Sequence, residues 1–433
     1  LNQQDEHDVV EVHEFYITGR DGIYNIEWPS LQVVARIDKI RENSDYEVKG
    51  EVIFTSSRPT SAGHLRQGRI ILTSPASRRT MVKALEERDG TVDWDRTMEQ
   101  LCVAVLARHR AGSPEVELHG DADVEADDKW LVQPLIQVGM PTLIYGAGSS
   151  GKSWLAQYVA VLADEGVSLN GLGVEPCPGQ VLLLDWETTE KEISSRVTMI
   201  RRGLSLDSQS HIWYKRMDQG LAADIETIRN IVINRNIKFL IVDSLGSACM
   251  GEPESSEVVL RMYGALRSLN VSSMCIHHTT KEGSLFGSVY HFNSNRQIFE
   301  VKKSQEPDSN QLVFGLFHRK ANNSKLIKDI GLQIQFNGPN GGVVFTRKDV
   351  GDTNLDEHQR IPDRIFNVLK RGPMSAPDLA EELQKTESHI RKELSNGVRS
   401  ARFVQLKDGT GRYALRAREE SSSEPSDRRF VRL

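Results

Sequence analysis

Long apolar runs are missing from this chain of 433 residues. No stretch approaches the roughly 18 uninterrupted apolar residues of a membrane-spanning helix, which argues against a membrane protein. Cysteine is sparse: Cys102, Cys177, Cys249 and Cys275 lie far apart and form no C-x-x-C pair. That excludes a disulfide framework and a zinc site of ordinary spacing, and the four read as small core residues of a cytoplasmic protein. Basic residues are not in surplus either, with Lys+Arg 54 against Asp+Glu 60 and a formal net charge of -6. A chain that coats nucleic acid along its whole length is excluded, while a local basic patch is not. Residues 1–12 are polar and acidic, so no secretory signal is expected there, and a start at Leu1 leaves room for a preceding segment. What is present is a globular balance, 38% hydrophobic and 26% charged, long enough for about three domains.

Residues 1–125 read as a small α+β domain. His13–Ile17, Leu31–Ile37 and Glu51–Phe54 carry β-branched and aromatic residues in partial alternation, as strands do. Two helices follow; in the second, Trp94, Met98, Leu101, Cys102, Val105 and Leu106 share one face and read as core. An acidic linker spans residues 120–128. From 130 to 348 short apolar runs alternate with helix-like stretches of ten to twenty residues, the pattern of a parallel sheet with crossover helices. The runs are Pro141–Tyr145, Val181–Leu184, Lys238–Val242 and Val271–His277. Asp349–Glu357 reads as a second polar linker, 358–417 as a small helical segment ending in a hairpin, and 418–433 as a disordered tail.

Gly146-Ala147-Gly148-Ser149-Ser150-Gly151-Lys152-Ser153 matches G-x-x-x-x-G-K-[ST] at every fixed position. Glycines let the backbone curl so that its N–H groups face a polyphosphate, and the helix opening at Lys152-Ser153-Trp154 adds its positive end. Lys152 is placed to reach the β- and γ-phosphates, and the Ser153 hydroxyl to bind Mg²⁺. A chance match in a chain this long has a probability of about 2%. A Gly/Ser linker would have neither the apolar strand before it nor the helix after it. Phe239-Leu240-Ile241-Val242-Asp243 ends an apolar strand on a carboxylate that would support the metal through water. Hydrolysis also needs a group to orient the attacking water. Ser244 follows Asp243, so that group comes from elsewhere; Glu187, just past Leu182-Leu183-Leu184-Asp185-Trp186, is the best candidate, with Asp185 the other carboxylate at that strand end.

These residues resemble the RecA-like ATPase superfamily and, within it, the RepA-like branch of hexameric plasmid helicases. Asp185-Trp186-Glu187 is similar to the D-A-E element that carries the catalytic glutamate. Cys275-Ile276-His277-His278-Thr279-Thr280-Lys281 resembles the H-H-[ST]-x-K element, Gly287-Ser288 with Arg296 the G-S…R element, and Lys320-Ala321-Asn322 the K-x-N element. The resemblance implies that His278 and Arg296 report nucleotide state and that Lys320, or the adjacent Arg319, acts as a finger in the neighbouring subunit's site. It further implies a ring of identical chains, a hexamer, that binds Mg²⁺-ATP and passes single-stranded DNA. Core packing at a strand end remains the plainer reading of His277 and His278.

At the C-terminal end, helices are expected over Asp363–Leu369, after an N-cap at Ser375, and over Thr386–Leu394, followed by a hairpin from Arg402 to Leu415. Helix, helix, helix, hairpin resembles a winged helix-turn-helix, with Arg391, Lys392, Arg399 and Arg402 placed to meet duplex phosphates. The expected fold is thus α/β: a RecA-like P-loop ATPase core, an α+β domain before it and a winged-helix-like domain after it. Two functions of different class follow, a DNA motor and an ATP-gated DNA-binding scaffold. A small-molecule kinase would need a substrate pocket and lid that the sequence does not suggest.

Overall fold

A computed structural model describes residues 14–20, 22–43, 45–112, 117, 130–207, 209–252, 254–322 and 325–416. The acidic linker at 120–128 and the tail at 418–433 lie outside the described residues. The chain forms two compact units.

The first is an antiparallel meander of β1 (Tyr16–Arg20), β2 (Ile23–Trp28), β3 (Val33–Glu42), β4 (Val48–Ser56) and β5 (Gly63–Ile71), paired in chain order. Burial alternates along β4, so one face is apolar, and α1 (Pro75–Glu86) and α2 (Trp94–Ala111) share its core. Trp28, Phe54 and Trp94 are fully buried there. Both helices start at sequence-encoded caps: the Ser74 hydroxyl accepts from Ser77 N and the Asp93 carboxylate from Arg96 N. The sequence suggests only three of the five strands; β5 escapes it because Gln67 and Arg69 on one face and Arg66 on the other interrupt its apolar pattern.

The second unit holds a nine-stranded sheet. A small three-stranded sheet of β6 (Trp130–Gln133), β7 (Ile136–Gln137) and β9 (Gly173–Val174) accompanies it. The large sheet contains β8 (Pro141–Gly146), β10 (Val181–Asp185), β11 (Trp213–Arg216), β12 (Phe239–Asp243), β13 (Ser272–His278), β14 (Gln297–Ser304), β15 (Gln311–Ala321), β16 (Ile330–Gln335) and β17 (Val344–Lys348), in the order β11-β10-β12-β13-β8-β14-β15-β16-β17. The six strands from β11 to β14 run parallel, joined through α3 (Lys152–Glu165), α4 (Glu190–Gly203), α5 (Ile225–Asn234), α6 (Leu245–Cys249), α7 (Ser256–Ser268) and α8 (Tyr290–Asn293). β8, β10 and β12 are buried at every position, as strands covered on both faces must be. The sheet is not parallel throughout: β14 to β17 pair antiparallel, a meander that needs no crossover helix.

The polar stretch 349–357 is not a free linker. The Asp349 carboxylate accepts from Gly351 N and pairs with Lys328 at 2.9 Å, and the only two apolar residues of the stretch, Val350 and Leu355, are buried against Phe317 of β15. Arg360 then donates to Ile327 O at 3.2 Å, which ties the start of α9 (Ile361–Leu369) to the large unit. There follow β18 (Met374–Ser375), α10 (Ala376–Glu382), α11 (Glu387–Arg399), β19 (Phe403–Gln405) and β20 (Arg412–Leu415), with strand order β18-β20-β19. Ser375 caps α10 through Asp378 N, α11 runs five residues past Leu394, and the strand at 374–375 is an addition to the hairpin. Among the described residues no helix is long and apolar enough to cross a membrane.

Candidate functional site

In an open parallel sheet, residues just past the carboxyl ends of adjacent strands share one crevice. Here β10, β12, β13 and β8 are consecutive neighbours. Their ends bring Glu187, Asp243, His278 and the loop residues Ser149–Ser153 around a cleft of about 320 Å³. The loop is curled by Ser149 at φ 55 and Gly151 at φ 91. Two of its glycines are sterically required: a Cβ on Gly146 would stand 2.5 Å from Val301 O, and one on Gly151 would meet Leu312 and Phe314 besides its left-handed φ. Gly148 and Ala147 complete the curl, and Gly151 is the N-cap of α3.

Lys152 is 5% exposed, and its Nζ donates to Gly146 O at 3.0 Å, Ala147 O at 2.7 Å and the Ser150 hydroxyl at 3.4 Å. Burial pulls its ammonium down to about 8, against the opposing pull of Asp243 and Glu187. Burial pushes the Asp243 carboxyl up to about 6, opposed by a hydrogen bond from the Ser153 hydroxyl. A buried cation held only by neutral oxygens and a buried carboxylate short of positive charge both fit a polyphosphate accompanied by a divalent ion. Among the described residues no three His, Cys, Asp or Glu side chains could hold a metal by themselves. One carboxylate and one hydroxyl suit an ion that keeps waters and takes phosphate oxygens.

The two acidic residues after β10 separate cleanly. Asp185 is 1% exposed and accepts from Glu187 N at 3.0 Å, Thr188 N at 3.1 Å, the Thr188 hydroxyl, and Tyr214 OH at 3.4 Å. It shapes the turn that carries Glu187 into the cleft. Trp186 points its indole N–H to Gln219 O at 3.0 Å. Glu187 lies half-exposed, 3.7 Å from His278 Nε2, and accepts from the Ser244 hydroxyl. His278 and then Ser244, joined by the charge of Lys152, hold its carboxyl down to about 2. Strand alternation divides the histidine pair: His278 lines the cleft, whereas His277 is 1% exposed, bonds Phe286 O at 3.0 Å and is pushed down to about 3 by burial.

Arg296 and Lys320 do not reach this cleft. Arg296 N bonds Pro141 O at the start of β8, five residues or roughly 16 Å of strand before Gly146. Lys320 pairs with Ile298 in the same end of the sheet and donates to Phe292 O at 2.9 Å and Asn293 O at 3.3 Å. Burial and the nearby Arg296 lower its ammonium. Asn322 N donates to Arg296 O at 3.1 Å. Arg319 lies at a bulge and is committed inside its own chain, to Glu300 at 2.8 Å and His358 O at 3.3 Å. It is therefore a structural strut rather than a group free to reach outward. Gly287 and Ser288 lie in the loop before α8, with the Ser288 hydroxyl accepting from Tyr290 N.

The sequence reading overlooks Arg196, Gln305, Leu312 and Phe336, which also line the cleft. The Arg196 guanidinium stands 5.3 Å over the Trp154 ring, and Phe336 meets that ring edge-on at 5.5 Å. Arg196 follows Glu187 by nine residues on α4, but its spacing looks like any solvated helix cation; Gln305, Leu312 and Phe336 come from the antiparallel half.

The family model described as an AAA domain matches residues 107–284, a span that holds the loop, Glu187, Asp243 and His278. Fold, cleft and family match together define a P-loop ATPase core that binds nucleotide. Among solved structures, the KaiC-like protein of the hyperthermophilic archaeon Pyrococcus horikoshii OT3 is similar at 16% identity, over 50% of this chain and 93% of that one, with a TM-score of 0.37. No curated protein matches the chain.

Proposed function

We propose that the protein is a Mg²⁺-dependent, ATP-driven DNA motor that assembles as a RepA-like ring, a homohexamer around single-stranded DNA, with duplex contacts from its C-terminal helices. The observation that carries the DNA reading is the solvent face of α11. Ser388, Arg391, Lys392, Ser395 and Arg399 are exposed at helical spacing, while Ile390, Leu394 and Gly397 face the core. Small hydroxyls and cations on one helix face can position phosphates and enter a groove. The element order from α9 to β20 resembles that of a winged helix-turn-helix, which supports this reading. Arg402 has no part in it: it pairs with Asp363 at 2.7 Å and lies over Phe366. The duplex test is Arg391→Ala/Lys392→Ala. It is expected to weaken binding about tenfold and lower the salt slope by about 2, with DNA-free ATPase unchanged. Unchanged affinity rejects this face.

In the cleft, Ser153 and Asp243 would hold Mg²⁺, which would neutralise developing charge on the phosphates. Lys152 would hold the β- and γ-phosphates, and Glu187 would orient the attacking water. Glu187→Gln is expected to keep ATP binding and lose turnover about a hundredfold, since an amide is no base. Asp185→Asn is expected to act through stability instead, by about 1–3 kcal/mol, because an amide N–H₂ would face backbone donors. Loss of turnover in Asp185→Asn at unchanged melting temperature, with Glu187→Gln fully active, would show that the wrong carboxylate is named.

The docking of Val350 and Leu355 on the large sheet favours a second reading, an ATP-gated DNA-binding scaffold whose C-terminal helices move with the core. A forked duplex decides: strand displacement supports the motor, and ATP-dependent binding without displacement supports the scaffold.

A further inference from the structure

We propose that Ser244 is a positioning residue for hydrolysis: its buried hydroxyl fixes the Glu187 carboxylate in the orientation that meets the attacking water. The inference rests on Glu187 as the water-orienting group.

A serine at a helix N-cap ordinarily turns its hydroxyl toward the free N–H groups of the first turn. Ser244 is the N-cap of α6 with extended backbone, yet makes no such bond. Its hydroxyl goes to Glu187 Oε1 instead, with Ser247 Oγ at 3.5 Å as a further neighbour. Giving up a cap weakens a helix start, so the diversion marks where the hydroxyl is better used.

The two partners differ in mobility. Ser244 is 2% exposed and accepts from Ala248 N at 3.0 Å, so its backbone is fixed by α6. Just before it, Asp243 O accepts from Trp186 N at 3.0 Å, which stitches the ends of β12 and β10 together. Glu187 has a side chain 44% exposed, on the turn beyond β10, with three rotatable bonds of its own. The only protein groups described at its carboxylate are the Ser244 hydroxyl and His278, and both approach the same oxygen, Oε1. His278 is itself 42% exposed at 3.7 Å, too far for a hydrogen bond. The rigid group is therefore Ser244, and the oriented one Glu187. With Oε1 so engaged, Oε2 is the oxygen that takes the water, and a misplacement of that oxygen by an ångström is enough to cost turnover heavily.

The test compares Ser244→Ala and Ser244→Thr with wild type, reading kcat, KM for ATP and the Mg²⁺ concentration for half-maximal rate. Ser244→Ala is expected to lower kcat on the order of 10- to 100-fold with KM and Mg²⁺ requirement unchanged, and Ser244→Thr, which restores the hydroxyl, to recover most of it. In a Glu187→Gln background Ser244→Ala is expected to have no further effect, since the group it positions is gone. Wild-type kcat in Ser244→Ala overturns the proposal. So does a raised Mg²⁺ requirement with kcat intact at saturation, which would mean that Ser244 acts on the metal. An equal loss on the Glu187→Gln background overturns it too. If Glu187→Gln alone hydrolyses normally, the reading of Glu187 has failed, whereas normal Ser244→Ala with crippled Glu187→Gln rejects only the positioning role. Melting temperature within a few degrees of wild type shows that the variants are folded; Ser244→Cys, of similar size, serves if alanine does not fold.

Discussion

Replacing Lys152 by alanine is expected to lower ATP turnover by about a thousandfold or more while leaving the fold as stable as before. Both halves come from the same burial. Lys152 is 5% exposed and lines the cleft, where the proposed nucleotide would place its phosphates. In so little water a single positive charge is worth far more than at the surface. Without it, Asp243 and Glu187 would confront a triphosphate with no interior cation between them. For stability the sign is opposite. The folded pKa of Lys152 is lowered to about 8 from 10.5, chiefly by burial. At pH below about 8 the folded chain therefore carries a cost for keeping this side chain charged, and removing the side chain relieves it. Gly146 O, Ala147 O and the Ser150 hydroxyl lose a donor; Ala147 is exposed and its carbonyl can turn to water, while the loss at buried Gly146 offsets part of the relief. The checks are steady-state ATPase and a thermal melt at pH 7. A Tm unchanged or raised, together with lost turnover, assigns the effect to the site; wild-type turnover sinks the nucleotide-site assignment, and a Tm lowered by many degrees shows that the loop needs its lysine to fold.

How far the site could be read in the sequence depended on how local its geometry is. The phosphate loop is contiguous, so eight consecutive residues declare both the curl and the helix start. Glu187, Asp243 and His278 each lie at or just beyond an apolar run, and parallel strands deliver such positions to one edge. Residues arriving from elsewhere were less visible. Arg196 sits on α4 like a solvated cation, Leu312 lies on the antiparallel β15, and Gln305 and Phe336 stand just past the ends of β14 and β16, in a meander without the helical spacers that marked the other strands. Pairing across distance also hid roles: Arg402 looks like a free surface cation until Asp363, 39 residues earlier, closes on it, and Arg319 until Glu300 does. The stretch 349–357 reads as a linker because seven of its nine residues are polar or glycine, but two apolar side chains suffice to dock it.

The same distinction between Arg319 and Lys320 sets the last expected result, which concerns assembly. A Lys320→Ala protein and a Lys152→Ala protein, each inactive or nearly so alone, are expected to regain ATPase when mixed. In any one chain, Lys320 and Arg296 lie together at the end of the sheet remote from the phosphate loop, so neither can complete the site of its own chain. Developing charge on the open side of the γ-phosphate still needs a donor. In a head-to-tail ring, the surface carrying Lys320 of one subunit would face the cleft of the next. A boundary between a Lys320→Ala loop and a Lys152→Ala finger then has both parts intact. With random mixing at equal amounts about a quarter of boundaries are of that kind, so activity is expected to reach about a quarter of wild type. Arg319→Ala in place of Lys320→Ala is expected to behave differently. Its guanidinium braces Glu300 and the 358 carbonyl within one chain, so its loss lowers stability and is not complemented by a neighbour. The measurement is ATPase across a titration of the two proteins, with mixed assembly followed by light scattering. A flat zero at every ratio despite mixed rings rejects Lys320 as a group acting between subunits, and rescue of Arg319→Ala instead would move that role to the arginine.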